Sequence, residues 1–183
     1  MKILLAFLPF IVFAIASTLG YSTLGLIGGS LTAACFLIRD LSGASHRLKL
    51  LDAGTFVLFG ALAIIVWISG ATMSIAMVRT CVDSGLLLLI LITIAMGRPF
   101  TIDYAKEQVA PELWSSPRFL RTNRIISLAW AAAFAAIIAA DVAMLHNLVP
   151  TRTIAFIIIG SLYGAYRFTL WYPRSLRNAA DPN

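Results

Sequence analysis

Six apolar stretches fill most of this 183-residue chain, and they leave it few possible folds. They cover residues 3–20, 22–38, 51–69, 80–97, 125–146 and 152–172. A helix needs about 20 mostly apolar residues to cross the roughly 30 Å of hydrocarbon in a bilayer. The sequence therefore predicts an all-α polytopic transmembrane helical bundle of about six spans. We expect residues 1–183 to form one transmembrane domain with little mass outside the bilayer.

The composition agrees with a chain that has little water-facing surface. Hydrophobic residues make up 60% of the sequence and charged residues only 12%. A soluble domain carries about 25% charged residues. The core is therefore expected to be the contact surface between packed helices, with lipid around it.

The cationic residues fall in alternate segments of the chain, which predicts its orientation. One group lies at the N-terminus, in the 39–50 loop, in segment 98–124 and in the tail: Lys2, Arg39, Arg47, Lys49, Arg98, Lys106, Arg118, Arg121, Arg124, Arg174 and Arg177. Arg167, late in the last span, lies near the same face, whereas Arg79 and Arg152 belong to the opposite face. Cytoplasmic loops are enriched in Lys and Arg. Both termini are thus predicted to be cytoplasmic, which requires an even number of spans, and a bacterial inner membrane is the expected location.

The net charge of +6 could suggest nucleic acid as a partner. Because the cations follow the predicted topology, however, the expected partners are anionic lipid headgroups at the cytoplasmic face. Other membrane proteins or self-association are also expected, and nucleic acid is not. The start of the chain has one alternative: Lys2, the apolar run 3–16 and Ala14-Ile15-Ala16 resemble a signal peptide, and its cleavage would leave five spans. An uncleaved first span is preferred because another span follows almost at once.

Small residues and prolines predict the local geometry of the helices. Gly20-Tyr21-Ser22 predicts a tight hairpin, and Pro9 predicts a kink in the first span. Small residues on one side of the second span predict close helix approach: Gly25, Gly28, Gly29 and Ser30. The fourth span is expected to end at Gly97-Arg98-Pro99, and the tail from Pro173 to fray.

Segment 98–124 is the longest predicted piece outside the bilayer and is expected to lie in the cytoplasmic interface. Residues 99–109 predict a short helix with Phe100 and Tyr104 on one face, and Ser116 is the expected N-cap of the next helix, with Pro117 in its first turn. The candidate surface for a cytoplasmic partner or for lipid comprises cations beside an aromatic ring: Arg98, Lys106, Trp114, Arg118, Arg121 and Arg124. Simple anchoring in the interface is the alternative reading of this surface.

Charged residues inside spans are candidates for function because each is costly in lipid unless it is paired. Five such residues could gather near the outer face: Arg79, Asp83, Asp141, His146 and Arg152. Arg79 and Asp83 are one helical turn apart and predict an ion pair. The cluster can be read as a proton or ligand site, or as an ion-paired group that fixes helix packing.

The remaining chemistry-bearing residues predict no reaction. His46 and His146 lie at opposite ends of the fold and cannot clamp one haem, while Cys35 and Cys81 lie too far apart for a disulfide. Asp52 is expected to cap the third span or to pair with Lys49 or Arg47. Gly160 and Gly164 form a GxxxG pattern that favours packing inside the chain over a dimer. No catalytic residue, metal or cofactor is predicted.

Several short motifs resemble the intracellular septation protein A family of small bacterial inner-membrane proteins. The motifs are the run Phe7-Leu8-Pro9-Phe10-Ile11-Val12-Phe13, the break Gly97-Arg98-Pro99-Phe100, and then Glu107, Pro111, Trp114, Asn123 and Leu128-Ala129-Trp130-Ala131. They cover about a quarter of the chain, and its length and span layout are similar too. The resemblance implies a role in cell-envelope maintenance or division through protein partners, with no catalytic residues.

The sequence is thus read as a non-enzymatic envelope or membrane-complex component. One alternative is a small oligomeric transporter or channel, whose pore would need Ser17, Thr18, Ser30, Thr32 and Thr93 to converge. Another is an accessory subunit of a redox or photosynthetic energy-converting complex. A membrane-embedded enzyme would have to use Asp103, Glu107 and Glu112, the acids nearest the cytoplasmic interface.

Overall fold

The structure is a computed structural model that describes residues 2–42, 49–69, 74–146 and 148–178. Every regular element in these ranges is helical. The α-helices are α1 Leu8–Thr18, α2 Ser22–Ser42, α3 Leu50–Ser69, α4 Ile75–Ala95, α5 Thr101–Ala105, α6 Pro117–Leu145 and α7 Thr151–Asn178, and two 3-10 helices cover Lys2–Phe7 and Pro111–Leu113. The predicted all-α fold is confirmed for this part of the chain.

Five helices in the described ranges are long and apolar enough to cross a membrane: α2, α3, α4, α6 and most of α7. The first apolar stretch differs from these, because a 3-10 helix precedes α1. The apolar helical segment Leu5–Thr18 is shorter than a full span. Pro9 lies at the start of α1, where proline is tolerated because its missing N–H would have no helical partner. The six-span count stays a prediction.

The helix bounds correct two of the predicted ones. Helix α2 continues to Ser42, so residues 39–42 are not loop. Helix α4 begins at Ile75, five residues before the predicted fourth span, because the Ser74 hydroxyl accepts a hydrogen bond from the Met77 N–H and caps the helix. Helix α6 begins at Pro117, as Ser116 and Pro117 predict, eight residues before the apolar stretch 125–146.

The prediction that the tail frays from Pro173 is also wrong as far as Asn178. Helix α7 runs through Pro173 to Asn178. Past the proline, the Ser175 hydroxyl donates to the Tyr172 carbonyl and Arg118 of α6 donates to the Leu176 carbonyl. These bonds offset part of the cost of a proline inside a helix. The predictions that involve His46, Arg47, residues 70–73 or residues 179–183 lie outside the described residues.

The chain divides into two compact units, Met1–Leu89 and Ile90–Asn183, with the boundary inside α4. In the first unit, α1 packs on α2 and α2 packs on α3. In the second, α5 packs on α6, and α6 packs on α7. The prediction of one domain for residues 1–183 stays a prediction.

Glycines bring the helices of the first unit close together, as predicted for α2. Gly20 turns the chain between α1 and α2 with a φ of +89°, which an L side chain rarely adopts. A Cβ on Gly25 would lie 3.1 Å from the Phe13 carbonyl, and one on Gly29 would lie 3.1 Å from the Pro9 carbonyl. Aromatic rings pack beside these contacts. The centroid of the Phe59 ring lies 5.0 Å from the centroid of the Phe10 ring and 5.6 Å from that of the Phe13 ring.

An ion-pair network joins the end of α2 to the start of α3. Asp40 lies 3.0 Å from the Arg39 guanidinium and 3.0 Å from the Lys49 ammonium. Lys49 is buried, and its pairing with Asp40 is a contact that the sequence analysis missed. Asp52 is the third residue of α3 and is also buried, so it does not occupy the N-cap position predicted as one alternative.

Candidate functional site: the connector and the arginine end of the second unit

Gly97 ends α4 as the sequence predicts and directs the chain into the connector, residues 96–116. Its φ is +71°. The Arg98 N–H donates to the Thr93 carbonyl and the Gly97 N–H donates to the Ile94 carbonyl, the two bonds of a Schellman motif. The helix end therefore has a defined geometry, and the connector leaves it in one direction.

Buried hydrogen bonds then fix the first half of the connector on α6. The Thr93 hydroxyl accepts from the Phe100 N–H at 3.3 Å. The Thr101 hydroxyl donates to the Asn123 carbonyl at 2.9 Å and lies 3.0 Å from the Ser127 hydroxyl. Within α6, the Asn123 side-chain amide donates to the Phe119 carbonyl at 2.9 Å. In lipid, such bonds between helices supply attraction that apolar contacts alone do not.

The short helix predicted in this segment is present as α5, but its apolar side faces protein. Phe100 and Tyr104, predicted to lie on one face, are both buried, as is Ile102. The hydrogen bonds of Thr101 place α5 against α6. Phe100 and Tyr104 therefore do not present an exposed aromatic face to the membrane interface. The depth of α5 in a bilayer stays a prediction.

The second half of the connector presents an aromatic ring beside a cation. The Trp114 indole N–H donates to the Val109 carbonyl at 2.9 Å, which fixes the ring. The Lys106 ammonium lies over that ring, 5.5 Å from its centroid, within the range of a cation–π contact. Ser116 accepts from the Phe119 N–H at 3.3 Å and caps α6, which confirms the predicted N-cap with Pro117 in the first turn.

Two contacts fix how α6 and α7 lie beside each other. Arg118, near the start of α6, donates from Nη2 to the carbonyl of Leu176, near the end of α7. The Trp130 indole N–H donates to the Thr169 hydroxyl at 3.0 Å. The two helices therefore run antiparallel, and the register places Arg121 of α6 near the level of Arg174 of α7.

Four arginines at this end of the second unit are exposed: Arg98, Arg121, Arg124 and Arg174. Within the described ranges, none of the four has an ion pair or a side-chain hydrogen bond. The end formed by the start of α6 and the end of α7 therefore presents positive charge that no other described residue pairs with.

The five residues of the predicted outer polar cluster divide between the two units. Arg79 and Asp83 lie one turn apart on α4 in the first unit, and both are half-buried. In the second unit, Asp141 is fully buried near the end of α6, whereas His146 after α6 and Arg152 at the start of α7 are exposed. The convergence of all five stays a prediction.

The GxxxG pattern of α7 does not pack inside the described part of the chain, contrary to the preferred prediction. No described atom outside the helix's own backbone and neighbours lies within 4 Å of a Cβ built on Gly160 or Gly164. Both glycines are exposed, and Phe156 and Tyr163 beside them are 75% and 61% exposed. These glycines therefore differ from Gly25 and Gly29, whose space is occupied.

Sequence reasoning missed Thr101, Ser127 and Thr169, the hydroxyl residues that join elements of the second unit. Each lies in an apolar or mixed sequence without a motif. One signal in the sequence could have indicated Ser127: it is a hydroxyl residue near the start of the apolar stretch 125–146. Comparison with protein-family models, curated proteins and solved structures found no match to this chain.

Proposed function

We propose that this protein is a non-enzymatic integral membrane protein of the bacterial inner membrane that acts as a component of a membrane complex, in cell-envelope maintenance or division. In this proposal the chain crosses the membrane six times, with both termini and the connector in the cytoplasm. The observation that carries the proposal is the fixed connector, which holds Trp114 and Lys106 at one end of the second unit.

The hydrogen bonding of the connector supports a docking role. A loop that only joins two spans needs few buried bonds, since loops generally run over the surface and are mobile. Here Thr93 of α4 and Asn123 and Ser127 of α6 make buried hydrogen bonds to residues of the connector. Leu113 beside Trp114 is 54% exposed, so a partner can reach an apolar side chain on a preorganised surface. Preorganisation lowers the entropy lost when a partner binds.

The residues that carry the resemblance to the septation protein A family lend further support. In the first unit Phe7 and Phe13 are buried. In the second, Phe100, Asn123 and Trp130 are buried, and the last two make hydrogen bonds to backbone or side-chain oxygens. The shared motifs thus coincide with residues that fix the helices and the connector, as expected of a common scaffold.

The hydroxyl groups favour this reading over a pore. The transporter alternative needs Ser17, Thr18, Ser30, Thr32 and Thr93 to converge on one water-filled path. The hydroxyl of Thr18 donates to Ala14 and Ile15, and that of Thr32 donates to Gly28, all carbonyls of the same helix. The hydroxyl of Ser30 donates to the Phe56 carbonyl of α3. These contacts are typical of packing between and within membrane helices.

One observation keeps a small oligomeric transporter as the second candidate. Asp141 is fully buried in α6, and acidic residues inside membrane helices often mark ion or proton pathways. Reconstituted liposomes containing Asp141→Asn would lose flux of the transported ion if this candidate is right. Equal flux from the wild type and the variant, or none from either, would reject it.

Photo-crosslinking in cells tests the docking proposal directly. A photoreactive phenylalanine analogue at Leu113, in the connector, is compared with the same analogue at Leu148, which is 75% exposed and precedes α7 at the opposite end. The proposal predicts a discrete protein adduct from position 113 that disappears with Trp114→Ala, and no such adduct from position 148. Adducts with lipid alone at both positions would contradict it.

A further inference from the structure

We infer that anionic phospholipid headgroups bind to the arginine cluster, Arg121, Arg124 and Arg174, at the end of the second unit where α6 begins and α7 ends. This inference rests on the membrane placement in the proposed function, but not on the identity or existence of a protein partner. It assigns a ligand class to three residues that make no ion pair or side-chain hydrogen bond within the described ranges.

The arginine cluster carries positive charge that no described residue pairs with. The three guanidinium groups are exposed, and no ion pair or side-chain hydrogen bond is formed by any of them within the described ranges. Arg118 beside them is different, because it donates to the Leu176 carbonyl and so joins the two helices. The cluster therefore has unused donors and a net positive charge that an anion would complement.

The arginine positions on α6 lie near the level expected for headgroups. Leu128, one turn after Arg124, is 46% exposed and belongs to the predicted fifth span, 125–146. With a rise of about 1.5 Å per residue, the α-carbons of residues 121 and 124 lie about 6 to 10 Å beyond that of Leu128 along the helix axis. The headgroup region extends about 5 to 8 Å beyond each side of the hydrocarbon core, so both arginines reach it when Leu128 lies at the edge of the core.

Helix α7 independently places Arg174 at the level of the headgroups. Trp171 is 60% exposed and lies one turn before Arg174. Tryptophan is enriched at the level of the headgroups in membrane proteins. The bonds from Arg118 to Leu176 and from Trp130 to Thr169 place Arg174 near the level of Arg121. Two helices thus bring their arginines to one depth.

The guanidinium group of arginine suits a phosphate ligand. It offers five N–H donors in a planar arrangement that matches two phosphate oxygens at once. A phosphodiester in an anionic lipid such as phosphatidylglycerol keeps its negative charge. In phosphatidylcholine the choline cation compensates that charge, so the cluster should prefer the anionic lipid.

The first unit supplies the contrast that makes the inference specific. Its cations Arg39 and Lys49 pair with Asp40, and Arg39 also lies 4.8 Å from the centroid of the Phe36 ring. Their charge is partly compensated inside the protein. Lipid selectivity should therefore depend on the arginine cluster and much less on Arg39.

The experiment compares retention of phosphatidylglycerol and phosphatidylcholine of identical acyl chains by the purified full chain, measured by native mass spectrometry from mild detergent. The inference predicts a preference of wild type for phosphatidylglycerol. The combined variant Arg121→Gln, Arg124→Gln and Arg174→Gln should lose most of it, since each cation near an anionic surface contributes about fivefold. Arg152→Gln is the matched control, because Arg152 is also exposed but lies at the other end of α7.

The lipid comparison decides the inference, and its outcomes are distinct from those of the docking proposal. Loss of the preference in the combined variant, with Arg152→Gln unchanged, supports the inference. No preference in wild type, full retention in the variant, or an equal loss from Arg152→Gln overturns it. If the combined variant does not fold, the three single variants are measured, and unchanged preference in all three overturns the inference. Phosphatidylglycerol preference without a protein adduct at position 113 would reject the docking proposal alone.

Discussion

The two units differ in the contacts that bring their helices together. In the first unit, glycines and aromatic rings let α1, α2 and α3 approach closely, as at Gly25 and Gly29. In the second, side-chain hydrogen bonds join α5, α6 and α7, as at Thr101 and Trp130. Lipid tails are as apolar as leucine, so burial of apolar surface gives little attraction between membrane helices. The chain thus uses both of the remaining sources of attraction, with close packing at glycines in the first unit and polar contacts in both units.

The units also differ in what happens to their positive charges. The first pairs Arg39 and Lys49 with Asp40. The second leaves Arg121, Arg124 and Arg174 exposed. We therefore expect removal of the first unit's paired charge to lower stability, and removal of the exposed arginine charges of the second unit to leave stability unchanged.

The largest effect is expected from filling a glycine contact in the first unit. Gly29→Leu places a side chain against the Pro9 carbonyl and the Phe59 ring, where even a Cβ would lie at 3.1 Å. Overpacking of this kind should destabilise the protein by about 3 kcal/mol. Gly164→Leu, at a site with open space, should leave stability unchanged or slightly raised. Thermal unfolding in detergent measures both, and equal losses would refute the packing contrast.

Removing the carboxylate of the first unit's ion-pair network should have the next largest effect. Asp40→Asn leaves the ammonium of Lys49, whose side chain is only 9% exposed, without this partner. We expect a loss of about 2 kcal/mol, below the range for fully buried pairs because both side chains keep some solvent contact. Arg124→Gln should not change the free energy of unfolding. A comparable loss from Arg124→Gln would show that the second unit's charge is structural as well.

A smaller effect is expected from removing the hydroxyl that fixes α5 on α6. Thr101→Val keeps the shape of the side chain but loses the bonds to the Asn123 carbonyl and the Ser127 hydroxyl. The expected cost is about 1 kcal/mol, together with faster hydrogen exchange in the connector. Thr32→Val is the matched control, because its hydroxyl only donates to Gly28 of its own helix. Unchanged exchange in the connector would argue against a fixed docking surface.

The smallest effect concerns the bond between α6 and α7. A double-mutant cycle of Trp130→Phe and Thr169→Val isolates the indole–hydroxyl contact of 3.0 Å. Interhelical hydrogen bonds in membrane proteins average about 0.6 kcal/mol, so we expect a coupling energy near that value. A coupling energy of zero within error would mean that the indole–hydroxyl contact does not stabilise the pairing of α6 and α7.

The sequence predicted those parts of the fold that depend on neighbouring residues. Apolar length predicted the long helices, and the local chemistry of Gly20, Gly97 and Ser116 predicted the turns and the cap. The Ser74 cap was missed because the apolar residues 75–78 around it carry no helix signal of their own. The helix past Pro173 was missed because one of its stabilising contacts comes from Arg118, distant in sequence.

The candidate site was predicted only in part for the same reason. The cations of segment 98–124 and the tail were visible in the sequence because charge bias is a property of composition. Whether each cation is paired depends on tertiary contacts, and so the partner of Lys49 and the open charge of Arg121 could not be read from the chain. The GxxxG pattern of α7 was misjudged because the pattern describes a surface and not what covers it.

Both proposals require the connector and the arginine end of the second unit to face the cytoplasm. Cysteine labelling with a membrane-impermeant maleimide tests this orientation, in a background of Cys35→Ser and Cys81→Ala. Glu112→Cys lies in the connector, and Leu148→Cys lies at the opposite end; both positions are exposed. The account predicts that position 112 reacts only in inside-out vesicles and position 148 only from the outside of intact cells. Labelling of position 112 from outside would contradict the orientation on which both proposals depend.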